Sequence, residues 1–204
     1  MEFLPKEIKN TIKELTIFKP KNKKELQEAV DLWCDDREKA YKKYKHIASW
    51  DTSLINDMSY LFYEQYKFND YINKWNVSNV YCMDSMFEFA KSFNQPLNNW
   101  DTSNVITMNY MFHDAINFNK NINNWNVSYV QEMSWMFFDA LSFNQPLNKW
   151  DVSDVKNVDY MFYNCKLFNQ NLNNWDISNI INIEHMFYKA NSFDKNNALW
   201  YNFN

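Results

Sequence analysis

The chain has 204 residues and a formal net charge of −4, with 46% hydrophobic and 19% aromatic residues and no glycine. This composition excludes a disordered chain and supplies enough apolar side chains for a continuous core in one elongated domain. Charge is uneven: residues 1–50 hold 12 Lys and Arg against 9 Asp and Glu, and residues 51–204 hold 9 against 16. An acidic body argues against nucleic acid as a partner, because phosphate binding needs Lys and Arg clustered on one face.

Residues 1–49 are expected to form a helical N-terminal cap. The opening Met1-Glu2-Phe3-Leu4-Pro5-Lys6 lacks the apolar core of a signal peptide, and no stretch is long enough to span a bilayer. The expectation is an intracellular or virion-associated protein in a reducing compartment, with no membrane insertion. Pro5 and Pro20 bracket a helical segment carrying Ile8, Ile12 and Leu15, and Leu26, Ala29, Val30 and Trp33 mark an amphipathic helix. Lys19, Lys21, Lys23, Lys24, Lys42, Lys43 and Lys45 read as its solvated face. Ile47-x-x-Trp50-x-Thr52 reads as a first strand.

From Trp50 onward the chain repeats. Trp50, Trp75, Trp100, Trp125, Trp150, Trp175 and Trp200 are 25 residues apart without a slip, which defines six units over 50–200 and a tail at 201–204. Three residues after each Trp comes a serine, from Ser53 to Ser178, and two further on a β-branched residue, from Ile55 to Ile180. Then follow Met58, Met83, Met108, Met133, Val158 and Ile183, and the pairs Leu61-Phe62 through Met186-Phe187. Ala90, Ala115, Ala140, Cys165 and Ala190 come next, with Gln65 in the first unit, and each unit ends in Phe-Asn or, last, Phe193-Asp194.

Two periods coexist in a unit. Apolar residues at 83, 86, 87 and 90 predict a two-turn helix, and the alternation of Trp75 and Val77 about Asn76 predicts a short strand. The serine column then falls where hydroxyls cap the next helix, a better reading than catalysis. The predicted fold is α/β: a leucine-rich-repeat-like, right-handed solenoid of about six strand-turn-helix units behind a helical cap. Strands about 4.8 Å apart beside helices 8–10 Å apart curve such a stack, and six strands give an inner sheet roughly 29 Å long. With no glycine and 33 asparagines, the Asn columns at 69 to 169 and 73 to 173 read as left-handed turn formers and as side-chain hydrogen-bond ladders. Glycan binding by them is a lesser alternative.

The pattern F-N-Q-x-L-x-x-W-D-x-S-x-V-x-x-M-x-x-M-F-x-x-A, seen from Phe93 to Ser103 and again from Phe143 to Ser153, resembles the repeat of BspA-like surface proteins and mycoplasma-type lipoproteins. It is also similar to repeat proteins of large DNA viruses of amoebae. The resemblance covers about residues 46–200 and implies a leucine-rich-repeat-like solenoid used for adhesion or protein binding, with no established enzymatic activity.

No chemistry is legible. His46, His113 and His185 are scattered, and phosphate loops, metal-ligand clusters and nucleophile motifs are absent, so no catalytic, cofactor-binding or metal residue is assigned and no cofactor is expected. Cys34, Cys82 and Cys165 show no C-x-x-C spacing, and Cys165 occupies the small-residue column as packing. Asp51, Asp101, Asp151 and Asp176 alternate with Asn76 and Asn126, and these solvent-facing groups are expected to keep the surface soluble rather than to bind a cation. Pro96 and Pro146 recur at 50 residues, a sign of a doubled two-unit block.

One band stands out on the predicted outer face of the helices: Tyr60 and Tyr63, Tyr110 and His113, Trp135 and Phe138, Tyr160 and Tyr163, and His185 and Tyr188. Either these rings are an exposed interface, or adjacent units bury them between one another. The expected function is a non-enzymatic protein-protein interaction or assembly module, with a protein partner or self-association. The alternative is an extracellular adhesin of the BspA-like kind.

Overall fold

The computed structural model of the protein describes residues 17–203. The segment carrying Ile8, Ile12 and Leu15, and the opening residues read for an export signal, lie outside the described residues. Helix α1, Lys23–Asp35, begins at Asn22, whose side chain accepts from the Glu25 amide, and it buries Leu26, Ala29, Val30 and Trp33 along one stripe. Asp36 ends α1 and caps α2, Arg37–Tyr44, through the Lys39 amide. The strand expected at Ile47 to Thr52 does not form. Ile47–Ser49 is a 3₁₀ turn, and Trp50 donates its amide to the Ile47 carbonyl.

Beyond Trp50 the α/β solenoid of strand-turn-helix units is not the architecture. Among the described residues the repeat has no α-helix and no sheet, and its one helical turn is the 3₁₀ segment Lys195–Asn197. Six nearly identical coils lie one on the next, joined by single-residue parallel bridges along the series Asp57, Cys82, Thr107, Glu132, Asn157 and Asn182. A leucine-rich-repeat-like inner sheet therefore has no counterpart here. Residues 83–90, expected to be helical, are consecutive tight turns: Met86 donates to the Met83 carbonyl and Ala90 to the Phe87 carbonyl.

The hydrogen-bond destinations explain the difference. In a helix each amide returns to the carbonyl four residues back. Here every second amide leaves its own coil: Met58 donates to the Cys82 carbonyl, Tyr60 to Asp84, Phe62 to Met86 and Glu64 to Glu88. The same four bonds recur at each junction down to Val158, Tyr160, Phe162 and Asn164, which donate to Asn182, Glu184, Met186 and Tyr188. The result is four columns of peptide groups running through the stack, all carbonyls toward the cap and all amides away from it.

Aiming alternate peptides the same way requires left-handed residues. Tyr60 and Glu64, and their equivalents down to His185 and Lys189, have φ between 52° and 62°. Each is the third residue of a turn, where φ above zero is the type II signature. Asparagine is not the general source of these conformations: within the two Asn columns none has positive φ, and Asn164 alone of the repeat asparagines does. The column at Asn69, Asn94, Asn119, Asn144 and Asn169 is a ladder instead, each side-chain oxygen accepting the amide 25 residues on at 2.9–3.0 Å.

Side chains inside the coils stack in register. Phe62, Phe87, Phe112, Phe137, Phe162 and Phe187 form one column of near-parallel rings 5.3–5.7 Å apart. A second column, Phe68 to Phe193, lies beside it at 4.0–4.1 Å within each coil. The indole of each Trp from Trp75 to Trp200 donates to the carbonyl 28 residues earlier, as Trp100 does to Ile72 at 3.2 Å. Trp50 is the exception, its buried indole nitrogen having no partner among the described residues. The 50-residue rhythm also has a physical correlate: Asn73 bonds Asn98 and Asn123 bonds Asn148, side chain to side chain.

Two expectations follow from these geometries. Glu64 is exposed and left-handed, so Glu64→Gly stabilises relative to Glu64→Ala by about 1 kcal/mol, the reverse of the order in an exposed helix. Urea melts of the two variants read the difference, and the helical order would refute the turn geometry. Trp125→Phe loses a buried hydrogen bond and costs roughly 1 kcal/mol, whereas Trp50→Phe, which removes an unpaired donor, costs less or stabilises; equal losses would remove the distinction.

Candidate functional site

The expected outer band is a continuous strip along the stack, though no helix displays it. One column contains Tyr60, Tyr110, Trp135, Tyr160 and His185, with Ser85 in the second coil. Tyr110 and Trp135 are stacked at 5.6 Å, Trp135 and Tyr160 at 4.4 Å, and Tyr160 and His185 lie 5.1 Å apart. The parallel column contains Tyr63, His113, Phe138, Tyr163 and Tyr188, with Glu88 in the second coil. Phe138 and Tyr163 stack at 4.4 Å within 1° of parallel, and Tyr163 meets Tyr188 at 5.3 Å.

Each coil links the two columns. Tyr60 meets Tyr63, Tyr110 meets His113, and Trp135 lies 4.7 Å from Phe138. Where Ser85 and Glu88 interrupt, Phe89 takes over, 5.7 Å from Tyr63 and 5.0 Å from His113. Phe89 was missed from the sequence because it occupies the other left-handed column. Tyr60, Tyr63, His185 and Tyr188 are exposed, and Tyr110, His113, Trp135, Phe138, Tyr160 and Tyr163 are half-buried. The rings cover one another along the surface without leaving it, so both halves of the sequence alternative apply in part.

Polar groups border the strip. His113 Nδ1 lies 2.9 Å from a Glu88 carboxylate oxygen, and Lys91 pairs with Asp114 at 3.1 Å. Lys189 places its ammonium 5.6 Å from the Tyr163 ring and 5.5 Å from Tyr188. Burial pushes the Cys34 thiol up to about 12 and raises Cys82 and Cys165 as well, so none is a thiolate at neutral pH. Among the described residues no three His, Cys, Asp or Glu side chains form a metal-binding group, and no helix is long and apolar enough to cross a membrane.

A family model described as "Mycoplasma protein of unknown function, DUF285" matches residues 35–134 and 100–200, two overlapping segments that span the coils. The chain belongs to this family. No curated protein and no solved structure matches it.

The serine and acidic columns of this DUF285 chain have one joint explanation. With no helix to cap, Ser78 donates its amide and hydroxyl to the Asn76 side-chain oxygen at 3.0 and 2.8 Å, and Ser103 does the same to Asp101 at 3.1 and 2.6 Å. Asp and Asn alternate because either supplies that acceptor. The Ser53 hydroxyl, helped by the Lys19 ammonium, holds the Asp51 carboxyl down at about 2, and the Ser103 and Ser178 hydroxyls lower Asp101 and Asp176. Folded-state values below the unfolded one, about 3.9 for Asp, contribute stability that is present above about pH 4 and lost as pH falls toward 2. Replacing Asp51, Asp101 and Asp176 together by Asn leaves the melting temperature near pH 7 within about 2 °C and flattens its decline between pH 4 and 2. An unchanged acid slope in thermal melts would contradict this origin.

Proposed function

We propose that this DUF285 chain is a non-enzymatic protein-binding module and that the paired aromatic columns are its contact surface. The observation behind this reading is the backbone beneath the rings. Tyr60, Tyr110, Trp135, Tyr160 and His185 occupy left-handed positions, a conformation that favours Gly, Asn and Asp and costs roughly 1–2 kcal/mol for other residues. The companion left-handed column holds Glu64, Asp114, Asp139, Asn164 and Lys189, with Phe89 its one aromatic, so the turn itself does not call for rings. Aromatic pairs return about 0.5–1.5 kcal/mol each, which roughly cancels the backbone cost. Folding therefore gains little from aromatics here, whereas interfaces draw much of their energy from Trp and Tyr anchors.

The kinship with BspA-like surface proteins and with viral repeat proteins is part of the same proposal. It leaves an adhesin as the alternative use of the strip. Replacing Trp135 and Phe138 by Ser removes the centre of both columns. The expected variant keeps its circular dichroism spectrum, melts several degrees lower, and loses the proteins that the unmodified chain captures from lysate of its source. A folded variant that captures the same set would dismiss the strip as the contact surface. Recovery of the native protein only from a membrane or medium fraction would favour the adhesin.

A further inference from the structure

The two ends of the stack differ. At the leading end α1 lies over the first coil, burying Leu26, Ala29, Val30 and Trp33, and the Gln27 side-chain amide donates to the Leu61 carbonyl at 3.1 Å. Lys23 reaches Asp57 at 3.0 Å and also bonds the Ser59 hydroxyl. The carbonyl end of the peptide columns is thus covered by α1, with the Gln27 amide on one carbonyl and the Lys23–Asp57 pair beside it.

Among the described residues the trailing end has no α-helix over it. The carbonyls of Asn182, Glu184, Met186 and Tyr188 accept from the coil before. The amides belonging to the same peptides, those of Ile183, His185, Phe187 and Lys189, have no partner among the described residues. Beside them the apolar positions are open too. Val152, Val155 and Val158 are buried beneath the next coil, but their equivalents Ile177, Ile180 and Ile183 are half-buried and line a cavity of about 300 Å³ with Trp200 and Tyr201. The last described residues cover part of this surface only: Trp200 stacks on Trp175 at 6.3 Å, and Tyr201 and Phe203 fold against the Phe187 ring at 5.1 and 5.7 Å, leaving the four amides without partners.

We infer that this trailing end, formed by Ile177, Ile180 and Ile183 and the outward amides of Ile183, His185, Phe187 and Lys189, docks a coil of the same 25-residue kind supplied by a different chain. The inner junctions show this surface occupied five times, always by a segment that offers carbonyls from every second residue and apolar residues to the second and third positions, with Val, Thr or Ile at the first. An ordinary β-strand is a poor substitute, since each of its edges alternates donors and acceptors, whereas this edge presents four donors in a row. A second copy of the chain fits no better. Its leading end is shielded by α1, and its trailing end would set donors against donors.

The test uses the full chain with a synthetic peptide of residues 101–118 at millimolar concentration, and in parallel the full chain carrying that peptide on a flexible C-terminal linker, which supplies a millimolar effective concentration. Hydrogen exchange by NMR is expected to slow at least tenfold at Ile183, His185, Phe187 and Lys189 in one or both formats, with no change in the first coil. Ile180→Asp in the full chain is expected to abolish the slowing while leaving inner-coil exchange intact; Trp135→Ser is expected to leave it in place, which separates this end from the aromatic strip. The inference fails if neither format slows those amides, or if a scrambled peptide slows them equally. It also fails if sedimentation shows the full chain alone to be a dimer with the same four amides already slow.

Discussion

The constraint on which everything else rests is that alternate peptide groups of each coil point along the stack axis and bond the next coil. Met58, Tyr60, Phe62 and Glu64 give their amides to residues 24 positions ahead, and so does each later set. An insertion of one residue between two coils would bring the wrong peptide opposite each amide, which is why the Trp spacing never departs from 25. Once the backbone columns are aligned, side chains at equivalent positions meet face to face. Phe stacks on Phe, Trp on Trp, and the Asn ladder follows the same register. Columns of like residues are the cheapest way to satisfy a translational contact, so uniformity in the sequence follows from uniformity in the hydrogen bonds.

The same alignment gives the stack a polarity. Each peptide carries a dipole of about 3.5 D, and dipoles joined head to tail add as they do along a helix. A sheet lacks this property because its strand dipoles alternate. The carbonyl end therefore favours donors, such as the Gln27 side-chain amide on the Leu61 carbonyl, and the amide end favours acceptors. The basic cap and the acidic body have at least one local meaning: Lys19 pairs with Asp51 at 2.9 Å and Lys23 with Asp57 at 3.0 Å across the seam between them.

Much of this was legible from residues alone, and the part that was not has a definite cause. The repeat length, the buried Trp, Met and Phe columns, the amphipathic α1 and the side-chain ladder of Asn69 to Asn169 could all be read from spacing. The elements could not. Turns three residues long bury 83, 86, 87 and 90 as a two-turn helix does, so the apolar pattern is common to both and only the amide destinations distinguish them. Trp75 and Val77 do face inward with Asn76 outward, as the strand reading required, but no neighbouring backbone pairs with them as a ladder. The usual marker of a left-handed position, glycine, is missing from the chain. Asp114, Asp139 and Asn164 were faint markers of it, while Tyr110, Trp135 and Tyr160 concealed it, because bulky rings are the last residues expected there.

That concealment bears on how the strip could work. Tyr60, Tyr110, Trp135 and Tyr160 not only display rings; their own amides are donors in the second peptide column. Each Cα is therefore held by the backbone ladder, and each half-buried ring is packed against the ring of the adjoining coil, as Trp135 is against Tyr160. A side chain already restricted in this way loses little rotamer freedom when a partner covers it, whereas ordering a free side chain at an interface costs about 0.5–1.5 kcal/mol. Ten ring positions and Phe89, fixed by one hydrogen-bond lattice, form a preorganised surface. The backbone strain beneath five of those rings is the physical counterpart of that rigidity, since a left-handed Trp or Tyr persists only where its surroundings determine it more strongly than its own preference.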